Sequence, residues 1–225
     1  MNILKIKMLG GLLMLLLVMA ALLFIPAWTL DYWQAWTFLV VYFASCLAIS
    51  LYLMNADPKL LERRMSGGPF AEKEAAQKII MVCASLGFIG LIAVPALDHR
   101  FGWSRVPLYA VLAGHVLMLL GWLAIFFVFR ANTFASATIE LASDHKVIST
   151  GPYALIRHPM YAGGLVMLVG MPIALGSWWG VLVMVVITPA VIWRLMDEEK
   201  FLATNLPGYV EYQRKVRYRL IPRVL

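Results

Sequence analysis

The sequence predicts an all-α integral membrane protein of about five to six transmembrane helices, closing with a C-terminal helical hairpin. Three observations carry this. Of its 225 residues, 62% are hydrophobic and only 14% charged, whereas soluble domains sit nearer half and a quarter. Mean hydropathy is +0.81. Stretches free of Asp, Glu, Lys and Arg recur at lengths that match a bilayer crossing. An ordinary soluble enzyme, a disordered regulator and a disulfide scaffold are excluded, and Cys46 and Cys83 both lie inside apolar runs as small hydrophobes.

The uncharged runs are Met8–Ala27, Trp33–Met54, Ile79–Leu97 and Pro107–Phe129. Each is close to the ~20 residues that a helix needs to cross ~30 Å of hydrocarbon. Lys5 and Lys7 before the first run resemble a signal peptide, but no small-x-small cleavage site follows cleanly, so an uncleaved helix is expected. A fifth run, Met160–Trp193, has 34 residues and is interrupted by Pro172, Gly176 and Ser177. Two short helices turning near Gly176–Ser177 are expected, with Trp178 and Trp179 at an interface; one long kinked helix is the alternative.

Charge placement favours the hairpin. With both termini on the cytoplasmic side and six crossings, 17 of the 19 Lys and Arg residues are cytoplasmic, leaving Arg100 and Arg105 outside. That satisfies the positive-inside rule, while a single long last helix would export seven C-terminal cations. The net charge of +7 is therefore mostly topological, with some attraction to anionic lipid, and needs no nucleic-acid partner.

Two polar segments bracket the hairpin and so meet at one membrane face. The chain divides into N-terminal transmembrane helices, 1–129, and a C-terminal half, 130–225, whose polar segments are where function is expected. In the first segment, Gly151-Pro152-Tyr153 and Arg157-His158-Pro159 restrict the backbone. His158 is pushed toward extended geometry, Pro159 suits the first turn of the next helix, and that N-terminus is a site for an anion. The alternative is an interfacial turn in which Arg157 snorkels and His158 merely caps.

The second segment opens Arg194-Leu195-Met196-Asp197-Glu198-Glu199, with Arg194 and Glu198 on one helix face. Tyr209 and Tyr212, ahead of Lys215, Arg217 and Arg219, look like an amphipathic helix lying on the headgroups. His115 reads as a hydrogen-bonded structural residue and His99 as an outer-loop residue. No metal-ligand spacing occurs, and nucleotide-loop and serine-hydrolase motifs are absent.

Taken in order, Asn132…Phe134, His145, Gly151-Pro152-Tyr153, Arg157-His158-Pro159-x-Tyr161-x-Gly163, Arg194…Glu198-Glu199 and Tyr209-x-x-Tyr212 resemble the isoprenylcysteine carboxyl methyltransferase family. That family lies within a broader group that includes phospholipid N-methyltransferases. The compact chain and its Gly-Pro-Tyr variant resemble the prokaryotic branch. The resemblance implies S-adenosylmethionine as methyl donor, S-adenosylhomocysteine as product, and a cytosolic cofactor pocket. By position, His145, Tyr153, His158, Pro159, Tyr161, Gly163 and Glu198 would bind the cofactor. Arg194, Glu198 and Glu199 would be catalytic, with Arg194 at an acceptor carboxylate.

The acceptor implied is a lipophilic small molecule or prenylated peptide drawn from the bilayer, methylated on a carboxylate without a metal. Phospholipid amines and small thiols are the enzymatic alternatives, a non-catalytic membrane binding protein or a nicotinamide-dependent reductase the others. Ser136 stands where eukaryotic members carry histidine, and Gly164, Leu165 and Val166 where they carry bulky aromatics, so the donor half of the pattern is the better matched.

Overall fold

A computed structural model describes residues 3–67, 75–138 and 146–222. Every regular element among them is helical. The long helices are α1 (Ile3–Ala27), α2 (Trp33–Ala56), α4 (Ala75–Phe101) and α5 (Leu108–Ala131). Between α2 and α4 lies a short helix, α3 (Pro58–Met65), entered through an N-cap in which the Asp57 carboxylate accepts from the Leu60 amide at 3.0 Å. The hairpin is α6 (Pro159–Ala174), then α7 (Trp178–Leu182) running almost unbroken into α8 (Met184–Asn205). A short last helix, α9, spans Tyr209–Lys215.

Among the described residues, five helical stretches are long and apolar enough to cross a membrane, with α6 as a shorter apolar helix. Large apolar side chains such as Leu13, Val40, Leu86, Leu112 and Val185 are exposed along them. In water such a surface would drive aggregation; against lipid it is the solvated face.

The expected hairpin is present. Gly176 turns it with φ 78°, a left-handed value suited to glycine. Ser177 caps α7 by accepting from the Gly180 amide at 2.9 Å. The turn is latched to its neighbours: Tyr32 donates to the Leu175 carbonyl at 2.6 Å, and the Ser177 hydroxyl donates to buried Asp98. Asp98 also accepts from the Ser104 amide at 2.6 Å.

These contacts correct one expectation. His99 is not a loop residue but part of the last turn of α4, stacked on Tyr32 with ring centroids 3.9 Å apart. The apolar run ends at Leu97, yet the helix continues because Asp98 finds buried donors. His115 does make the expected structural contact, Nδ1 to the Val111 carbonyl at 2.9 Å.

The most intimate packing is between α5 and α6, antiparallel along a seam of small residues. A Cβ on Gly121 would lie 2.7 Å from the Gly163 carbonyl oxygen, and one on Gly170 2.7 Å from that of Gly114. Glycine at both levels lets the backbones approach, which is how helices associate where lipid removes the hydrophobic drive.

Candidate active site

The polar end of α5 starts the site. Asn132 closes the helix, and its side chain then works twice: Oδ1 accepts from the Phe134 amide at 2.8 Å, while Nδ2 donates to the Tyr153 hydroxyl at 2.9 Å. Gly151, at φ 58°, begins the single turn Gly151–Ala154. The Tyr212 hydroxyl donates to the Tyr153 carbonyl at 2.8 Å, which ties α9 to that turn. Burial pushes the Tyr153 hydroxyl up to about 12, against a smaller downward pull from Asn132, so the hydroxyl that accepts from Asn132 stays neutral.

Arg157 and His158 follow in an extended stretch. Their amides donate to the Tyr218 and Arg219 carbonyls, both at 2.9 Å. His158 occupies the N-cap position of α6 without capping it; its ring instead reaches Glu199 of α8, Nε2 to Oε1 at 3.1 Å. Arg157 Nε meets the same oxygen at 2.7 Å, and Arg219 Nε meets Oε2 at 3.0 Å. Glu199 is thus a buried carboxylate with three donors joining the loop, α8 and the C-terminal segment. It lies beyond Trp193, where the apolar part of α7–α8 ends. Burial alone would raise its pKa; the bonds from His158, Arg219 and Arg157 outweigh that and hold it at about 2.

Beside this clamp is a pocket of about 100 Å³. Its wall includes Asn132, Phe134, Lys146, Tyr153, His158, Met160, Tyr161, Glu198, Tyr209 and Tyr212. Tyr161 donates to Glu198 at 2.6 Å. The Tyr209 hydroxyl is buried and has no hydrogen-bond partner among the described residues.

Of the residues expected from sequence, Tyr153, His158, Tyr161 and Glu198 converge on this pocket. Glu199 sits behind the wall, holding the loop. Pro159 is the buried first residue of α6, and Gly163 lies in the α5–α6 seam. Arg194 lines neither this pocket nor the apolar cavity between the helices. It donates to Gln77 Oε1 at 3.0 Å and the Ala137 carbonyl at 3.1 Å, bracing α8 against α4 and the 132–138 loop. His145 lies outside the described residues.

Tyr209 and Tyr212 differ from the expectation of a helix lying on the headgroups. They do not rest on headgroups: both are buried, packed with Leu206, and face the pocket. Their spacing of three marks one helical face, but only the turn at Gly208, φ 84°, points that face inward. Arg64, in α3, lies close enough to Arg194 for their charges to interact. Nothing in sequence separates it from the other cations flanking the apolar runs. Among the described residues no group of three metal-ligating side chains occurs.

Fold and site together define a multi-pass helical membrane protein with a tyrosine-rich polar pocket at one end of its bundle. Residues 109–207 match the phospholipid methyltransferase family model, which bears out the resemblance and extends it into α5. The chain is also 29% identical, over 135 residues, to the cobalt-zinc-cadmium resistance protein CzcN of Cupriavidus metallidurans. That alignment covers 52% of this chain and 61% of the relative.

Proposed function

We propose that this protein is an integral-membrane methyltransferase using S-adenosylmethionine and a lipidic acceptor, most simply one bearing a carboxylate. The observation that carries the reading is the pocket itself: Tyr153, Tyr161, Tyr212, His158 and Glu198 line it with Tyr209, whose buried hydroxyl has no partner among the described residues, and Tyr153, His158, Tyr161 and Glu198 fall inside the segment that matches a methyltransferase family. These residues fit the cofactor's chemistry. Aromatic faces suit an adenine, a carboxylate backed by tyrosine suits a sulfonium, and Lys146 suits an amino-acid carboxylate. The orphan hydroxyl would gain a partner.

The cofactor supplies a methyl carbon made electrophilic by its bond to positive sulfur. Around it, Glu198 holds positive charge in place, with Tyr161 fixing the carboxylate's orientation. The Glu199 clamp keeps His158 and the loop rigid, and α9 with Tyr209 and Tyr212 covers the pocket from water. A carboxylate acceptor arrives already ionised, so no proton need move. Transfer to such an acceptor would form an O–C bond as the C–S bond breaks and would neutralise both charges, so the pocket residues would need only to hold the two partners dry and aligned. Arg194 braces this arrangement and supports the acceptor end electrostatically.

The family match favours a second reading, methylation of a phospholipid amine. An ammonium must first lose a proton, and Glu198 is the carboxylate on the pocket wall for that task. Competition between carboxylate and amine acceptors separates the two.

The test of the common reading is calorimetric titration of S-adenosylhomocysteine into detergent-purified protein, beside His158→Ala and Glu198→Ala. Micromolar-range binding, weakened in both folded variants, is expected. No binding by folded wild-type protein would overturn the methyltransferase reading.

A further inference from the structure

We propose that Arg64 reads the anionic headgroup of a single-chain amphiphile whose tail occupies the cavity between α1, α2, α5 and α6. The inference rests on the methyltransferase reading only for what happens next to that headgroup. The cavity has a volume of about 560 Å³, within the ~300–1,000 Å³ of small-molecule sites. Its wall is mostly apolar, and Arg64 is the one charged residue lining it among the described residues.

Two glycines show that the space is open rather than loosely drawn. A Cβ on Gly11 of α1 or Gly164 of α6 would meet nothing within 4 Å, although both residues line the cavity. One residue earlier, Gly163 is pressed against α5, its Cβ position 2.9 Å from that of Ala124. The same helix is thus closed on one face and open on the other.

Arg64 is held in place without being neutralised. One terminal nitrogen donates to the Ser136 carbonyl at 3.0 Å and touches the Met160 sulfur at 3.8 Å. Its guanidinium lies 5.3 Å from the centre of the Phe129 ring. Among the described residues no carboxylate lies within salt-bridge distance, and only the one terminal nitrogen of the fork has a hydrogen-bond partner. An uncompensated cation beside apolar walls is costly, and an anion presented in the plane of the fork offsets that cost. The helix carrying it is pinned: Asp57 caps α3, Arg63 donates to the Thr133 carbonyl at 3.0 Å, and Gly67 abuts Ala137.

Met160 lines both this cavity and the polar pocket. A headgroup on Arg64 therefore sits against the wall of the proposed methyl-transfer site. Since α3 precedes the matched segment 109–207, Arg64 is a specificity element contributed by the N-terminal helices.

The test is binding of palmitate, hexadecanol, lysophosphatidate and two-chain phosphatidate to full-length protein in neutral detergent, followed by native mass spectrometry. Wild-type protein is expected to prefer palmitate and lysophosphatidate over hexadecanol by roughly ten-fold or more. Arg64→Gln should abolish that preference and Arg64→Lys restore part of it. Gly164→Leu and Gly11→Leu, which fill the open space, should weaken palmitate and hexadecanol alike. Equal binding of palmitate and hexadecanol by wild type would overturn the proposal, as would an unchanged preference in Arg64→Gln. Displacement of palmitate by an equal concentration of two-chain phosphatidate would also overturn it, by marking a bilayer-lipid site. If Arg64→Gln does not fold, the wild-type preference and the glycine variants decide. Titration of S-adenosylhomocysteine into the same preparation isolates the other claim: its failure overturns the methyltransferase reading and leaves the Arg64 result standing.

Discussion

Arg157 and Glu199, 42 residues apart in sequence, meet at 2.7 Å in a buried ion pair that His158 and Arg219 complete. Without the hairpin between them, the loop and α8 would have no reason to be neighbours. Breaking one partner of such a pair leaves the other charges buried and unmatched. Glu199→Gln should therefore destabilise the protein by roughly 3 kcal/mol, read as a lower unfolding temperature in detergent.

The same carboxylate sets an acid limit. Its pKa falls from 4.5 to about 2 on folding, so the unfolded chain binds more protons between those values. The stabilisation is complete above about 4.5 and is lost as pH falls toward 2. Thermal unfolding from pH 6 downward should show this loss in wild type, and a flatter profile in Glu199→Gln.

Glu198 and Tyr161 make a charge-specific prediction. If the carboxylate faces a sulfonium, Glu198→Gln should weaken S-adenosylmethionine, which is cationic at sulfur, by roughly ten-fold more than S-adenosylhomocysteine, which is not. Parallel calorimetric titrations measure the difference. An equal loss for both ligands would place Glu198 away from the sulfur.

Tyr209 separates folding from binding. Its hydroxyl is buried without a partner among the described residues, so Tyr209→Phe removes an unsatisfied group and should leave stability unchanged or slightly higher. Cofactor affinity should instead fall several-fold, by roughly the worth of one hydrogen bond.

The seam gives a contrast between glycines of one chain. Gly170→Ala sets a methyl 2.7 Å from the Gly114 carbonyl oxygen and should force α5 and α6 apart, whereas Gly10→Ala meets nothing within 4 Å. Unfolding in detergent should drop sharply for the first and hardly change for the second.

The sequence carried much of this architecture because its signals are local or strongly constrained. Uncharged runs mark the crossings, Gly176–Ser177 marks the turn, and the distribution of cations favours a hairpin over a single helix. The linked Arg157-His158-Pro159 and Glu198-Glu199 stretches mark the pocket region in the sequence itself. What sequence could not rank was which member of a group faces inward. Glu198 lines the pocket while its neighbour Glu199 serves the clamp, and one position along a helix decides it. Tyr209 and Tyr212 carry the same pattern whether they face lipid or protein. Arg64 is indistinguishable in sequence from a cation anchored at the headgroups; only the docking of α3 sets it apart.

The recessed start of α6 has a consequence for where chemistry takes place. Measured from the level at which Gly121 faces Gly163, α5 runs ten more residues to Ala131 while α6 runs back only four to Pro159. At 1.5 Å per residue, the floor of the pocket lies about 9 Å below the rim of the bundle. On the proposed function, a polar cofactor would descend toward the acyl region, and a lipidic acceptor would not need to climb out. The protein in effect carries a dimple in the membrane, and an acceptor's reach would be set by that depth rather than by its solubility.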